Sequence, residues 1–301
     1  MLADSNTKPE AAQYAVQPLL ARELQDEVLS ELDPVSDRAT LLVCALVSQA
    51  WHTVTRTHLF SRVSLNVGTK EGLTMKQFFV FVVRCAELAF SEEKSQVPSA
   101  PTFVREVTIL GVPFSIHHQP CIPDVVFDNL RNLIASLPSL ETLHIDRVCL
   151  KTDIRPEAAR ALDWKPLREL KSLKMDLDTL EVNCVVAWVL SLFSSVEHLD
   201  LRCRISRRKV GFPMSYFMAD GVSPIPSGPT ENVPLAIRRA EVDSDYHFPE
   251  LVRYLRQARD LQDIKELSVR CYNDKDVIAL KRLLDEPEPL VIESLTLGSS
   301  K

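Results

Sequence analysis

Residues Leu140–Asp146 read LETLHID, with apolar residues at Leu140, Leu143 and Ile145 and polar residues between and after them. The same apolar-x-x-apolar-x-apolar word recurs at Val104/Val107/Ile109, Leu170/Leu173/Met175, Val196/Leu199/Leu201, Ile237/Ala240/Val242, Ile264/Leu267/Val269 and Ile292/Leu295/Leu297. Counted between middle residues, the spacings are 36, 30, 26, 41, 27 and 28. Alternation at the end of each word predicts a strand with one buried face and one polar face. The intervals carry residues at helical period, at Val125 to Leu137, Leu180 to Phe193, Phe248 to Ala258 and Asp274 to Leu284.

A strand plus a helix at a period near 28 resembles a leucine-rich repeat, whose units cannot bury their apolar faces alone and must stack. The usual Asn ladder of such repeats is missing, and Cys149, Cys203 and Cys271 stand near its place. The expected fold is therefore α/β (α+β), with an irregular leucine-rich-repeat-like solenoid of about seven strands over 66–301. The interval after Leu201 is long and holds GVSPIPSGPTENVP at Gly221 to Pro234, so a Pro-rich insertion is expected near 204–234.

Composition narrows the class. The chain has 301 residues, 46% of them hydrophobic and 25% charged, as ordinary globular proteins do. Seven Gly against 19 Pro argue against an architecture of tight hairpins and against a Gly-rich phosphate cradle. A net charge of −6 gives no electrostatic reason to expect nucleic acid or an anionic membrane as partner. Seven scattered Cys with no C-x-x-C pair read as small buried hydrophobes in a reducing compartment. The opening residues MLADSNTKPEAAQ lack the apolar core of a signal peptide, and FFVFVV at Phe78 to Val83 is short enough only for a buried helix or strand. A cytoplasmic or nuclear location is expected.

Upstream of the repeats the pattern is helical. Residues 1–17 read as a flexible tail. Leu20, Leu24, Val28, Leu29 and Leu32 predict an amphipathic helix that Asp33-Pro34 stops, and Ser36 or Asp37 can cap a second one running through Ser48. Trp51 sits on a third. Leu42, Leu46, Val47, Trp51 and Val54 recur at three- and four-residue steps, which places them on one face of a helical segment or helical pair, with Trp51 as the anchor in the core. Beyond it, Val63 and Leu65 read as a strand, Thr74 starts a long helix through Phe90, and Ser91 to Pro101 reads as a surface loop.

The words around Trp51 also carry a resemblance. Cys44-Ala45-Leu46-Val47-Ser48-Gln49-Ala50-Trp51, His58-Leu59-Phe60, and upstream Leu20, Glu23-Leu24, Val28-Leu29 and Leu32 resemble the F-box-like domain of fungal F-box proteins over about Pro18 to Leu65. Ala21 stands where that family has Pro. The resemblance implies an N-terminal three-helix F-box-like docking domain at 18–65, binding the F-box adaptor protein of a cullin–RING ubiquitin ligase and through it the cullin scaffold. By residue match, the adaptor-binding set would be Leu20, Glu23, Leu24, Val28, Leu29, Leu46, Val47 and Trp51. The repeats would then hold an unknown protein substrate, making the chain a substrate receptor. The other reading of the same residues is a repeat scaffold that binds partners without any ligase.

The candidate substrate face follows from alternation, because residues between the apolar ones point away from the core. These are Thr142, His144 and Asp146; Lys174 and Asp176; His198, Asp200 and Arg202; Arg239, Glu241 and Asp243; Glu266, Ser268 and Arg270. Arg202, Arg204, Arg207, Arg208 and Lys209 form a basic cluster of the kind that grips phosphate, or simply a solvated loop. His117-His118 with Cys121 and Asp124 is too sparse a donor set to read as a metal site. No G-x-S-x-G, H-E-x-x-H, P-loop or G-x-G-x-x-G occurs, and Ser194, His198 and Asp200 read as surface residues, so neither catalytic residues nor cofactors are expected.

Overall fold

The computed structural model describes residues 20–67, 73–91, 100–111, 124–151, 166–177, 186, 189–203, 236–244, 264–271, 274–285 and 292–299. The expected tail, most of the loop from Ser91 to Pro101, the helix at Phe248 to Ala258, the insertion at 204–234, the basic cluster beyond Arg202 and the group His117, His118 and Cys121 lie outside these residues. So does most of the pattern from Leu180 to Phe193. The chain divides into two compact units, Met1–Leu59 and Phe60–Lys301.

The first unit holds α1 (Arg22–Ser30), α2 (Arg38–Ala45) and α3 (Gln49–Leu59). The stop after α1 is built by Asp33, whose Oδ1 accepts the Val35 and Ser36 amides at 2.9 Å each, while Asp37 Oδ2 accepts the Asp33 amide at 2.9 Å. Such carboxylate turns satisfy the backbone donors of the turn that leads into α2, which have no helical acceptor. Ser48 caps α3 through its hydroxyl, which accepts the Trp51 amide at 3.3 Å. Across the unit, His58 Nε2 lies 2.8 Å from Asp26 Oδ1 and ties α3 to α1.

The second unit is a mixed α/β structure. Its sheet has eight parallel strands in the order β1 (Arg62–Asn66), β2 (Glu106–Leu110), β4 (Thr142–Asp146), β6 (Arg168–Leu177), β7 (Phe193–Cys203), β8 (Ala236–Ser244), β9 (Glu266–Cys271) and β10 (Ser294–Ser299). Each strand thus lies beside the one before it in sequence. Parallel neighbours need long crossovers, and the spacing of the words supplies them. β3 (Asp124–Val126) and β5 (Cys149–Lys151) pair separately as a two-stranded parallel sheet. Among the described residues this unit has the helices α4 (Met75–Ser91), α5 (Phe127–Ala135) and α6 (Asp274–Leu284), a 3-10 turn at Ala100–Phe103 and helical residues at Val186, Val189 and Leu190.

Register turns the repeated word into two ladders of buried side chains. Val63, Val107, Leu143, Leu173, Leu199, Ala240 and Leu267 form one, and Leu65, Ile109, Ile145, Met175, Leu201, Val242 and Val269 the other. All belong to a single apolar core that Leu130, Leu133, Ile134 and Leu137 join from α5 and its C-terminal turn. Removing one methylene-rich side chain from such a ladder costs about 2 to 5 kcal/mol.

Several expectations change. The first strand of the sheet, β1, carries the same word as Phe60/Val63/Leu65, so the sheet has one strand more than the words counted above and β1 belongs to the sheet unit rather than to the helices. The helix expected from Val125 begins at Phe127, because the backbone of Asp124–Val126 pairs with β5 and adjacent β-branched residues favour the extended form. Phe78 to Val83 is not buried throughout: α4 buries Phe78 and Val82 and leaves Phe79, Val80, Phe81 and Val83 exposed, as a one-sided helix must. α4 opens on a capping box, with Thr74 Oγ1 accepting the Gln77 amide at 3.2 Å and Gln77 Oε1 accepting the Thr74 amide at 2.9 Å. Cys44, Cys85 and Cys271 are half-buried rather than fully enclosed, and burial, followed by Asp276, pushes the Cys271 thiol up from its ordinary value.

Candidate functional site

Two surfaces stand out, one on each unit. On the helical unit, α1 turns Gln25 and Leu29 inward and leaves Leu24 and Val28 outside, with Leu20 one turn before them. α2 buries Leu41, leaving Leu42 and Val43 exposed. The backbone then closes a turn, with the Leu46 amide donating to Val43 O at 3.0 Å and the Val47 amide to Cys44 O at 3.1 Å. That turn presents Leu46 at 85% and Val47 at 65% exposure. Leaving so many large apolar side chains in water on one small unit is what marks an interaction surface.

This arrangement revises the sequence reading in two respects. Trp51, expected as the core anchor, is only half-buried; of the residues expected on its face Val54 is buried while Leu42, Leu46 and Val47 are exposed, and Leu41, Thr55 and Leu59 are the other buried residues of α2 and α3. Of the proposed docking set, Leu20, Glu23, Leu24, Val28, Leu46 and Val47 are exposed, whereas Leu29 is fully buried within its own chain and has no surface to offer. Ala21, at the N-cap of α1, has φ −53° and ψ 144°, a conformation within proline's own range. Gln25 is 1% exposed; its Nε2 donates to Leu20 O at 2.7 Å, while Oε1 is buried with no hydrogen-bond donor.

On the sheet unit, the face opposite the core carries three rows. The first runs Arg62, Glu106, Thr142, Ser172, His198, Arg239, Glu266, Ser294. The second runs Ser64, Thr108, His144, Lys174, Asp200, Glu241, Ser268, Thr296, and the third Asn66, Leu110, Asp146, Asp176, Arg202, Asp243, Arg270, Gly298. The structure thus brings every expected face residue onto one surface.

Charge on this surface is arranged in pairs. Arg202 Nε and Nη2 grip the two oxygens of Asp200 at 3.0 Å each, with Lys174 Nζ 3.9 Å from the same carboxylate, which is why Asp200 tolerates 8% exposure. Arg239 reaches Glu266 at 2.6 Å, Arg270 reaches Asp243 at 3.0 Å and Arg62 reaches Glu106 at 3.1 Å. The Arg239 hydrogen bond holds the Glu266 carboxyl below its usual range. Partial burial, followed by Lys174, holds the His144 imidazole below its ordinary value against the opposing pull of Asp146, Asp176 and Asp200. His198 Nε2 lies 3.4 Å from Glu241 Oε1, so His198 and Asp200 face different partners. Between β7 and β10, Asp200, Arg202, Asp243, Arg270 and Gly298 line an open depression of about 270 Å³.

The sequence reading missed a fourth ladder, at the second position of each word. Glu141, Lys171, Glu197, Arg238, Lys265 and Glu293 follow one another across the sheet, pairing as Lys171 with Glu141 at 2.8 Å, Arg238 with Glu197 at 3.5 Å and Lys265 with Glu293 at 3.3 Å. The near-alternation of sign at one fixed word position was its visible signal.

Among the described residues no group of three His, Cys, Asp or Glu is placed to hold a metal ion, and no helix is long and apolar enough to cross a membrane. No protein-family model and no curated protein sequence matches the chain.

Proposed function

We propose that the chain is a substrate receptor of a cullin–RING ubiquitin ligase, docking the F-box adaptor through its helical unit and a protein substrate through the polar sheet face. The observation that carries this reading is the exposure of Leu20, Leu24, Val28, Leu46 and Val47 on α1 and the α2–α3 turn, in the resemblance's docking set. Leu29 drops out of that set, and its role is to hold α1 against its own unit. The sheet face, broad and dressed with paired charges, suits a protein partner read by complementary charge. The mechanism is proximity: holding a substrate beside a ligase raises its effective concentration without new chemistry in the receptor.

The test is capture of purified F-box adaptor by the full chain, beside a Leu24→Asp, Leu46→Asp double variant checked by circular dichroism. Both leucines are exposed, so the fold is expected to survive. Burying two leucines at an interface is worth about 3 to 6 kcal/mol, so the variant should bind at least roughly 100-fold more weakly. An unmutated chain that fails to capture the adaptor refutes the ligase reading and leaves the partner-binding scaffold.

A further inference from the structure

Glu241 breaks the pattern of paired charge on the polar sheet face. Glu106, Asp146, Asp200, Asp243 and Glu266 each meet an arginine at 2.6 to 3.1 Å. Glu241 meets the His198 ring instead, whose Nε2 lies 3.4 Å from its Oε1, and among the described residues no lysine or arginine forms an ion pair with it. Its place in the sheet sharpens the deficit. Glu241 lies opposite Asp200 on β7 and Ser268 on β9, and Thr296 follows on β10. β8 is an interior strand paired on both sides, so these are its neighbours along the row. Like charges on opposed strands repel, yet Asp200 is answered by Arg202 and Lys174, whereas the matching positions of β9 and β10 offer Glu241 only hydroxyls. The Glu241 side chain is 46% exposed and borders two depressions, the one of about 270 Å³ toward Arg202 and Arg270 and a second of about 340 Å³ toward Arg239 and Glu266.

We infer that Glu241 anchors a basic side chain of the substrate protein, an arginine or lysine that enters the depressions over β8 and β9. This rests on the reading of the face as a substrate-binding surface and adds the class of segment that the face takes. Three arginines around the depressions, Arg202, Arg239 and Arg270, would by themselves suggest an acidic or phosphorylated segment. Each is already held by a carboxylate, Arg202 through two hydrogen bonds of 3.0 Å to Asp200. A phosphate would have to displace one of these carboxylates and then stand close to Glu241. A cation displaces nothing. It gains Glu241 as its charge partner and the Ser268 and Thr296 hydroxyls, which line both depressions, as further acceptors. With Arg202–Asp200, Arg239–Glu266 and Arg270–Asp243 each neutral as a pair, the charge left to attract a partner at this place is that of Glu241.

The test is an NMR titration of the full chain at low salt with capped serine-glycine nonapeptides that carry one central arginine, glutamate or phosphoserine. The reporter is the imidazole of His198, beside Glu241 and assigned by its loss in His198→Gln. The arginine peptide should shift this signal saturably, with binding that added salt weakens and that Glu241→Gln weakens about fivefold, the scale of a half-exposed charge pair. Glu31→Gln, which removes an exposed carboxylate from the helical unit, should leave that binding unchanged, and Glu241→Arg should transfer the preference to the glutamate peptide. Glu241 is half-exposed, so the variants are expected to fold, as circular dichroism checks. A His198 signal that no peptide moves, one that the arginine and glutamate peptides move alike, tighter binding of the phosphoserine peptide, or an arginine-peptide affinity indifferent to Glu241→Gln overturns the assignment. Adaptor capture by Glu241→Gln should equal the parent's, so a failed titration leaves adaptor docking standing, and failed adaptor capture leaves the basic-segment site to a partner-binding scaffold.

Discussion

Gly111→Ala should destabilise the sheet unit by about 3 kcal/mol. Gly111 follows β2, and its amide donates to Asp146 O at 2.7 Å at the end of β4. A Cβ built there would stand 1.7 Å from the carbonyl oxygen of Arg147, 2.5 Å from its carbonyl carbon and 3.2 Å from Asp146 O. The obstacle is backbone, so no side-chain rotation relieves it. Arg147 cannot simply retreat, since its own amide donates to Asp176 O at 2.8 Å and its φ is already 53°, a left-handed conformation that disfavours most residues by about 1 to 2 kcal/mol. Moving the two chains apart by more than an ångström sacrifices the Gly111–Asp146 hydrogen bond, about 0.5 to 1.5 kcal/mol, on top of the roughly 1 to 3 kcal/mol that overpacking costs. For a unit of this size, about 3 kcal/mol lowers the melting transition by roughly 6 to 12 °C. Urea and thermal unfolding of the full chain, followed by far-ultraviolet circular dichroism, measure it. An alanine variant within about 0.5 kcal/mol of the parent refutes the claim that close strand approach demands glycine here.

Two further outcomes follow from the charges. Glu197→Lys inserts a third cation between Lys171 and Arg238 on successive strands and should destabilise by about 1 to 2 kcal/mol at low salt, shrinking as salt is added; the Glu197→Lys, Arg238→Glu double variant should recover most of it in chemical denaturation. A variant insensitive to salt would show the second-position ladder to be energetically idle. Burial lowers the His144 pKa in the fold, so as pH falls through its ordinary value of 6.5 the unfolded chain takes up a proton before the folded chain does, and stability declines until the folded group titrates too; above that range the group contributes nothing. His144→Asn should therefore flatten the stability profile on the acid side of neutrality, and an unchanged slope in pH-resolved denaturation would remove His144 from the account.

What the sequence made legible, and what it did not, divides by the kind of neighbour that decides each residue's surroundings. In the sheet, a strand's faces follow from period two, and a parallel neighbour in matching register reproduces them, so one word read seven times placed Leu143, Met175 and Val242 in the core and Lys174, Asp200 and Arg239 outside it. The word at Phe60/Val63/Leu65 is hidden because Phe60 also closes the His-Leu-Phe triplet, so that one residue is both the end of one pattern and the start of the next. In the helical unit the same reasoning carried less far, since Val54 is buried but Trp51 only half so. Leu41 and Leu42 are adjacent and equally apolar, yet the first is fully buried and the second is 49% exposed; on α1 the buried positions are Leu29 and a glutamine. Helical period identifies stripes but cannot rank two apolar stripes on one helix, and a unit of three short helices has too little interior for both. The surplus is what leaves Leu24, Val28, Leu46 and Val47 in water. A unit that buries Gln25 with an unsatisfied oxygen while exposing those four side chains has not been arranged for its own stability alone, since exchanging Gln25 for a buried apolar residue would serve that better. The half-buried Trp51 and the case for a docking surface therefore have one physical cause, an excess of apolar surface over the volume available to hide it.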